Sequence, residues 1–123
     1  MKDKEIKKAG CILVDLKQQK VALIYREHLD DYTFPKGHLE EGETWQETAI
    51  RETAEETKRD CKLLSEQPVH IERYIDGVGD NCVCYYFLAI DTGKSDNTST
   101  DTHTLLWTDP EKVEETLTYP KNK

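Results

Sequence analysis

The stretch from Phe34 to Glu56, FPKGHLEEGETWQETAIRETAEE, decides the fold, because a loop punctuated by Pro and Gly runs directly into a helix. Thr44 followed three residues later by Glu47 is the pattern of a capping box, in which side chain and backbone satisfy each other at a helix start. Trp45 begins a run without Gly or Pro. The sequence therefore predicts a helix that starts after Thr44 and ends near Lys58.

Side-chain spacing within this predicted helix indicates how it packs. Ala49 and Ile50 predict an apolar stripe that faces a core. Glu47 and Arg51, and again Arg51 and Glu55, are pairs of opposite charge four residues apart, each worth about 0.2–0.5 kcal/mol in an isolated helix. We expect both pairs to form.

Three carboxylates share one surface of the same helix, since Glu52 lies three and four residues before Glu55 and Glu56. Carboxylates so close repel one another and raise each other's pKa unless a cation lies between them. Oxygen ligands suit a hard divalent cation such as Mg²⁺, with Mn²⁺ as a possible substitute. The Glu residues of Glu-rich helices are more often simply exposed to solvent. The residues around this cluster therefore have to indicate whether it is a metal site or a solvated helix face.

Those surrounding residues follow a fixed spacing. A Gly is followed after five residues by a Glu, after seven more by Arg-Glu, and then by Glu-Glu, at Gly37, Glu43, Arg51, Glu52, Glu55 and Glu56. This resembles the signature of the Nudix hydrolases, GX5EX7REUXEEXGU, where U is an aliphatic residue. Three positions depart from the signature, namely Thr53, Lys58 and Arg59. Lys58 replaces a Gly whose left-handed conformation commonly ends a helix.

The resemblance implies the Nudix fold, an α/β (α+β) architecture with a mixed β-sheet between helices, an α/β/α sandwich. It covers most of residues 1–123, which we expect to form a single Nudix hydrolase domain. It also implies an enzyme, a Mg²⁺-dependent pyrophosphohydrolase that cleaves a phosphoanhydride bond in a nucleoside diphosphate-linked substrate. The string FPKGH at residues 34–38 looks most like the branch that cleaves dinucleoside polyphosphates such as diadenosine tetraphosphate, to ATP and AMP, alongside enzymes of diphosphoinositol phosphates.

The resemblance assigns roles to individual residues. Glu52, Glu55 and Glu56 are expected to bind the metal ion, together with the carbonyl group of Gly37, and one of the three glutamates can also act as general base. Arg51 is expected to orient Glu52 or Glu55, or to serve only as a helix ion pair, and Glu43 to brace the loop. In the family, a loop before a Trp such as Trp107 often donates one more acid, for which Asp101 is a candidate against the alternative of a solvated loop residue.

Further candidates for substrate binding lie near the signature. The resemblance places Lys36 where it could meet a phosphate, and Arg26 is a second candidate for a phosphate contact, although a solvent-exposed arginine is the simpler interpretation of Arg26. Tyr32, Tyr74 and Tyr85 can stack on a base, although strand aromatics are more often packing residues.

Length and charge limit the remaining classes. The 123 residues carry a net charge of −8, which argues against binding duplex nucleic acid and fits a protein that handles polyanions through metal ions. The charged start MKDKEIKK is not followed by the apolar segment of a signal peptide, and no apolar run has transmembrane length. We therefore expect a cytoplasmic protein, a small nucleotide or polyphosphate as its partner, and no membrane; the oligomeric state cannot be read from the sequence.

The other elements follow from periodicity and turn residues. Strands are predicted at 9–16, from 21, at 69–75 and at 82–90, a polar loop at 92–104, and a short closing helix capped by Asp109. Cys11, Cys61, Cys82 and Cys84 lack the spacing of a metal site and are expected to pack as small apolar residues.

Two other functions stay open at this point. One is a house-cleaning pyrophosphohydrolase of damaged nucleoside triphosphates, and the other is a Nudix-like module that senses a nucleotide without cleaving it. The presence of every acidic signature residue argues against the sensor.

Overall fold

A computed structural model describes residues 5–118. It contains a mixed sheet of eight strands, one long helix and two short helical segments. The strands are β1 Glu5–Asp15, β2 Lys20–Arg26, β3 Asp31–Thr33, β4 Lys36–His38, β5 Arg59–Leu63, β6 His70–Ile75, β7 Asn81–Lys94 and β8 Thr104–Thr108. The helices are α1 Trp45–Thr57, a 3-10 turn Pro110–Lys112 and α2 Val113–Thr116.

The sheet is built around β1 and β7, which pair in parallel from Glu5 opposite Asn81 to Val14 opposite Ile90. The order is β3-β2-β1-β7-β5, and every other pairing is antiparallel, with β4 on β1, β6 on β7 and β8 on β2. The predicted central strands are therefore confirmed. The strand predicted at 82–90 is longer than expected, because β7 continues through residues 91–94. The polar loop is therefore shortened to residues 95–103.

Helix α1 lies across one face of the sheet. The residues beneath it are small or apolar and alternate along the two central strands, as expected for one buried face. They form a core with Ala49 of the helix, and its members are Ala9, Cys11, Leu13, Ala22, Phe87 and Ala89. The core therefore fixes the helix against the middle of the sheet.

The start and end of α1 follow the sequence prediction. Thr44 accepts a hydrogen bond from the amide of Glu47, and the Glu47 carboxylate accepts one from the amide of Thr44. Lys58 adopts the left-handed conformation with φ of 60° and donates its amide to Ala54. Lysine thus takes the backbone geometry for which the signature uses Gly, at a cost of about 1 kcal/mol.

The buried face of α1 differs from the predicted apolar stripe. Ala49 is buried, but Ile50 is 37% exposed, and the remaining buried positions are Thr48, Thr53, Ala54 and Thr57. These are small residues, which allows the helix to lie close to the sheet. The prediction of a packed Ile50 was wrong because the buried stripe runs one position earlier at 48–49.

The carboxyl-terminal helix also differs in detail. Pro110 opens the 3-10 turn as predicted, but the Asp109 side chain makes no capping hydrogen bond and instead forms an ion pair with Lys20. α2 has only four residues, so α1 is the one helix of more than four residues within 5–118. No helix in this part of the chain is long and apolar enough to cross a membrane.

All four cysteines are free, and three of them, Cys11, Cys82 and Cys84, are buried, as predicted for packing residues. Cys61 is half-buried, and its Sγ lies 4.0 Å from the Sγ of Cys11.

Two buried threonines of α1 provide a matched test of this packing. The hydroxyl of Thr53 makes no hydrogen bond of normal geometry in the part of the chain that the structure describes and lies near the weakly accepting thiol of Cys11, whereas that of Thr57 donates to the Thr53 carbonyl at 2.6 Å and accepts from the Arg59 amide at 3.0 Å. Valine has nearly the same shape and helix propensity as threonine. We expect Thr53→Val to raise the free energy of unfolding by about 1 kcal/mol and Thr57→Val to lower it by about 1 kcal/mol.

Urea unfolding of both variants, followed by circular dichroism, measures these two changes. A loss of stability in Thr53→Val as large as that in Thr57→Val would contradict the assignment of an unsatisfied hydroxyl.

Candidate active site

The loop before α1 brings its backbone directly against the helix. A Cβ atom built on Gly37 would overlap the carboxyl group of Glu52, so no other residue fits at this position without a shift. Gly37 lies on β4, which is held by its pairing with β1 at Ala9. The first Gly of the signature therefore leaves room for the Glu52 carboxylate, which a side chain at position 37 would displace.

The carboxylate cluster, defined as Glu52, Glu55 and Glu56, forms at the junction of this loop and the helix. Glu52 and Glu55 are 12% and 18% exposed, and each accepts a hydrogen bond of 3.1 Å from Nη1 of Arg51. Glu56 accepts a hydrogen bond of 3.0 Å from the backbone amide of Lys36. The structure thus brings the three predicted glutamates together and shows Arg51 bridging two of them.

Arg51 also joins the helix to the loop. Its Nε and Nη2 atoms bind the two carboxylate oxygens of Glu43 at 2.6 and 3.0 Å, and Nη2 donates to the carbonyl of His38 at 3.0 Å. Glu43 further accepts from the hydroxyl of Thr48 at 2.6 Å. The predicted brace is present. The predicted pair of Arg51 with Glu47 is not formed, because Glu47 is used in the capping box.

The local electrostatics are those of crowded acids. Burial raises the pKa of Glu56 to about 8, and the charge of Glu52 adds to this rise, against the Lys36 amide and the charges of Lys36 and Arg26. Burial also raises the pKa of Glu52, with further contributions from Glu55 and Asp101 against the lowering effect of Arg51. The cluster has more negative charge than its neighbours compensate, and a bound cation would relieve it.

Basic side chains also lie near Glu56, since the charges of Lys36 and Arg26 act on its carboxylate. Lys36 is half-buried, and its partial loss of hydration lowers its pKa, with the charges of Arg26 and Lys8 acting in the same direction. Arg26 makes a two-pronged ion pair with the buried carboxylate of Asp31 at 2.8 and 2.7 Å, which fixes its guanidinium group. Lys36 Nζ has no hydrogen-bond partner within residues 5–118, so its positive charge is available to a ligand.

The predicted aromatic residues do not form one pocket. Tyr85 stacks on Trp45, with ring centroids 4.0 Å apart, on the face of the sheet that α1 covers. Tyr74 pairs with Cys82 in register, so it points to the opposite face, where its hydroxyl accepts a hydrogen bond of 3.1 Å from Lys8. Tyr32 packs on Tyr25, at 4.9 Å between ring centroids.

Some site residues were not identified from the sequence. Lys8 lies on the same sheet face as Tyr74 and belongs to the basic group with Lys36 and Arg26. Its signal was present in the alternation of β1, where Lys8 has the opposite parity to the buried Ala9 and Cys11. Asp101 is exposed, and its charge acts on Glu52 across the loop.

The residues present fit a divalent cation by their chemistry, since the cluster offers only carboxylate oxygens beside a glycine carbonyl. Within residues 5–118, no three His, Cys, Asp or Glu side chains already stand close enough together to hold an ion. Arg51 instead takes an oxygen of both Glu52 and Glu55.

Comparison with known proteins relates this chain to one family. The chain matches the NUDIX domain model over residues 5–123. It is 38% identical over 69 residues to the m7GpppN-mRNA hydrolase dcap-2 of Caenorhabditis elegans, a match that covers 54% of this chain and only 9% of that protein. The chain therefore spans a small part of the length of this curated relative.

Solved structures show the same fold. A NUDIX hydrolase from Nitrosomonas europaea superposes with a TM-score of 0.75 at 19% identity, over 92% of this chain and 78% of the other. A binary complex of a C. elegans Ap4A hydrolase superposes with a TM-score of 0.69 at 25% identity, over 94% and 88%. Fold, signature and domain model together confirm the predicted family: the chain belongs to the Nudix family and carries a Nudix hydrolase domain.

Proposed function

We propose that this protein hydrolyses a phosphoanhydride bond in a nucleoside diphosphate-linked substrate, with Mg²⁺ as the favoured ion. One observation carries the proposal: acidic and basic side chains meet at Glu56, whose carboxylate accepts the Lys36 amide and feels the charges of Glu52, Lys36 and Arg26. A polyphosphate held by divalent ions needs both kinds of charge within a few ångströms. The predicted cytoplasmic location stays a prediction.

The chain's own residues would act as follows. Glu52, Glu55 and Glu56 would hold the ion, which when bound neutralises phosphate oxygens and lowers the pKa of a water molecule. Arg51 keeps Glu52 and Glu55 in place through the hydrogen bonds from its Nη1 atom. Water adds to one phosphorus atom, the bridging phosphorus–oxygen bond breaks, and one of the three glutamates takes the proton of the water.

The basic side is suited to the phosphate chain. Lys36, which is half-buried, contributes an ammonium group without a hydrogen-bond partner in the described residues, and Arg26 contributes a guanidinium fixed by Asp31. Desolvated cations bind phosphate oxygens more strongly than exposed ones do, because the local dielectric constant is lower. Tyr74, next to Lys8 on this face, is the predicted aromatic residue best placed to contact a base.

The relatives favour a particular substrate class. The C. elegans proteins named above act on Ap4A and on m7GpppN-mRNA, and in both names a chain of phosphates joins two nucleosides. We therefore propose a dinucleoside polyphosphate, with diadenosine tetraphosphate cleaved to ATP and AMP as the leading candidate.

Product analysis tests this proposal. We expect the protein with Mg²⁺ to convert diadenosine tetraphosphate to equal amounts of ATP and AMP, and chelation of the metal to stop the reaction. Glu56→Gln should lower kcat by about 10³-fold or more, because it removes a carboxylate from the metal site. Glu41→Gln, at an exposed loop position, should have normal activity and serves as the matched control.

The same assay includes a cap dinucleotide, ADP-ribose, a diphosphoinositol phosphate and damaged nucleoside triphosphates. Turnover of a triphosphate alone would replace the dinucleoside proposal with the house-cleaning one. No turnover of any compound, together with saturable Mg²⁺ binding, would indicate a nucleotide sensor instead of an enzyme.

Lys36 gives a second prediction, in which stability and function change in opposite directions. A partly desolvated cation without an ion-pair partner costs free energy in the folded state, so its removal does not destabilise the protein. We expect Lys36→Met to raise KM for the substrate by about tenfold or more, as for a lost charged hydrogen bond, with an unchanged or higher Tm. Steady-state kinetics and thermal unfolding measure both, with exposed Lys7→Met as the control.

If Lys36→Met lowers Tm and leaves KM unchanged, then Lys36 is a structural residue and the proposed phosphate contact is wrong.

The brace between Glu43 and Arg51 predicts a pH dependence of stability. The hydrogen bonds from Arg51 hold the pKa of Glu43 at about 2, with help from Thr48 and Glu40 and against the effect of burial. A carboxyl group whose pKa is lower in the folded than in the unfolded state stabilises the protein at pH values above its unfolded pKa of about 4.3. This stabilisation is lost as the pH falls toward 2.

We expect Glu43→Gln to have a lower Tm at neutral pH and a smaller fall in Tm than the wild type between about pH 4.5 and 2. Differential scanning calorimetry over this range, with Glu41→Gln as control, measures the difference. Parallel curves for Glu43→Gln and the wild type would show that the pair adds nothing to stability.

A further inference from the structure

Lys58, which replaces the second Gly of the signature, has a side chain with two specific partners. Its Nζ donates hydrogen bonds to the carbonyl oxygens of Asn97 at 2.9 Å and Ser99 at 2.5 Å. Both carbonyls belong to the connecting segment, residues 95–103, between β7 and β8. A glycine at position 58 would satisfy the left-handed backbone but would have no side chain to reach this segment.

The connecting segment has a regular internal order. The amide of Asn97 donates to Ser95 Oγ at 3.1 Å, that of Ser99 to Asn97 Oδ1 at 2.7 Å, and that of Asp101 to Ser99 Oγ at 3.1 Å. In each case the acceptor is the side chain two residues earlier. The hydrogen bonds of Asn97 and Ser99 within the segment use their amides and side chains, which leaves their carbonyl groups to the ammonium of Lys58.

Both ends of the segment are attached to the end of α1. The amide of Ser95 donates to the carbonyl of Lys58 at 2.9 Å, and the amide of His103 donates to that of Glu56 at 3.0 Å. The hydroxyl of Thr102 also reaches the carbonyl of Glu55, at 3.3 Å. The Lys58 side chain attaches the middle of the segment to the end of α1. Asp101 lies two residues after Ser99, the second residue that Lys58 binds.

We propose that Lys58 is a positioning residue, whose ammonium group holds the connecting segment so that the carboxylate of Asp101 stays beside Glu52. The inference rests on the proposed function in one respect, namely that the metal ion is bound at Glu52. Asp101 is exposed, and repulsion from the carboxylate cluster acts to move the middle of the segment away, where the Lys58 side chain is the attachment. The Lys58 tether offsets that repulsion through two charge-assisted hydrogen bonds.

The test compares Lys58→Met and Lys58→Gly with Lys62→Met, which removes an exposed lysine of β5 and changes the net charge equally. The first readout is amide hydrogen exchange of residues 97–103 in the metal-free protein. We expect exchange at Ser99 and Asp101 to be about tenfold faster in both Lys58 variants and unchanged in Lys62→Met. Lys58→Gly relieves the left-handed strain, so it separates loss of the tether from loss of stability.

The second readout is Mg²⁺ binding, measured by calorimetry and as the Mg²⁺ concentration that gives half-maximal activity. Lys58→Met should weaken Mg²⁺ binding by about threefold to tenfold, with kcat recovered at saturating Mg²⁺. Asp101→Asn should have at least as large an effect. If Lys58 acts through Asp101, then the double variant should be no weaker than Asp101→Asn alone.

Exchange in Lys58→Met that equals that in Lys62→Met would overturn the proposal, and so would additive effects of the Lys58 and Asp101 substitutions on Mg²⁺ binding. Failure of the proposed function looks different, since the wild type would then bind no Mg²⁺ and cleave no pyrophosphate. In that case the exchange measurement alone decides whether Lys58 holds the segment.

Discussion

The guanidinium group of Arg51 is the interaction on which the rest of the site depends. It binds Glu43 and the His38 carbonyl of the loop and, through Nη1, Glu52 and Glu55 of the helix. Without it, two neighbouring carboxylates of α1 and one of the loop would meet with no cation between them, and the loop would lose its attachment. The Arg-Glu pair of the signature therefore acts as one structural unit, because the arginine offsets the repulsion between the neighbouring carboxylates.

Charge is unevenly divided in this molecule. The chain has a net charge of −8, yet Lys8, Arg26 and Lys36 lie near one another on one side of Glu56. The charges of Arg26 and Lys8 both lower the pKa of Lys36, and such a grouping is disfavoured unless an anion is bound there. Partial desolvation of Lys36 beside two other cations is thus typical of an anion-binding site.

The sequence predicted the parts of the site that depend on local geometry. Helical spacing places Glu52, Glu55 and Glu56 on one surface whatever the fold, and the capping box fixed where that helix starts. The basic side could not be derived in the same way, because it depends on how β1, β2 and β4 pair across the sheet. Alternation separates the two faces of a strand but does not indicate which face the helix covers. Tyr74 and Tyr85 are therefore both candidates for a base pocket by sequence, although they point to opposite faces of the sheet.

The departures from the signature show which of its positions specify chemistry and which specify space. Thr53 replaces an aliphatic residue of the signature and is buried, which is possible because threonine has nearly the shape of valine. Lys58 replaces a Gly and adopts the left-handed conformation with φ of 60°. A requirement for shape or backbone angle can be met by another residue at a cost of about 1–2 kcal/mol. A requirement for a carboxylate oxygen beside a cation has no such substitute except another acid. The charged positions are accordingly complete in this chain, while the positions that changed are those where the fold had an alternative.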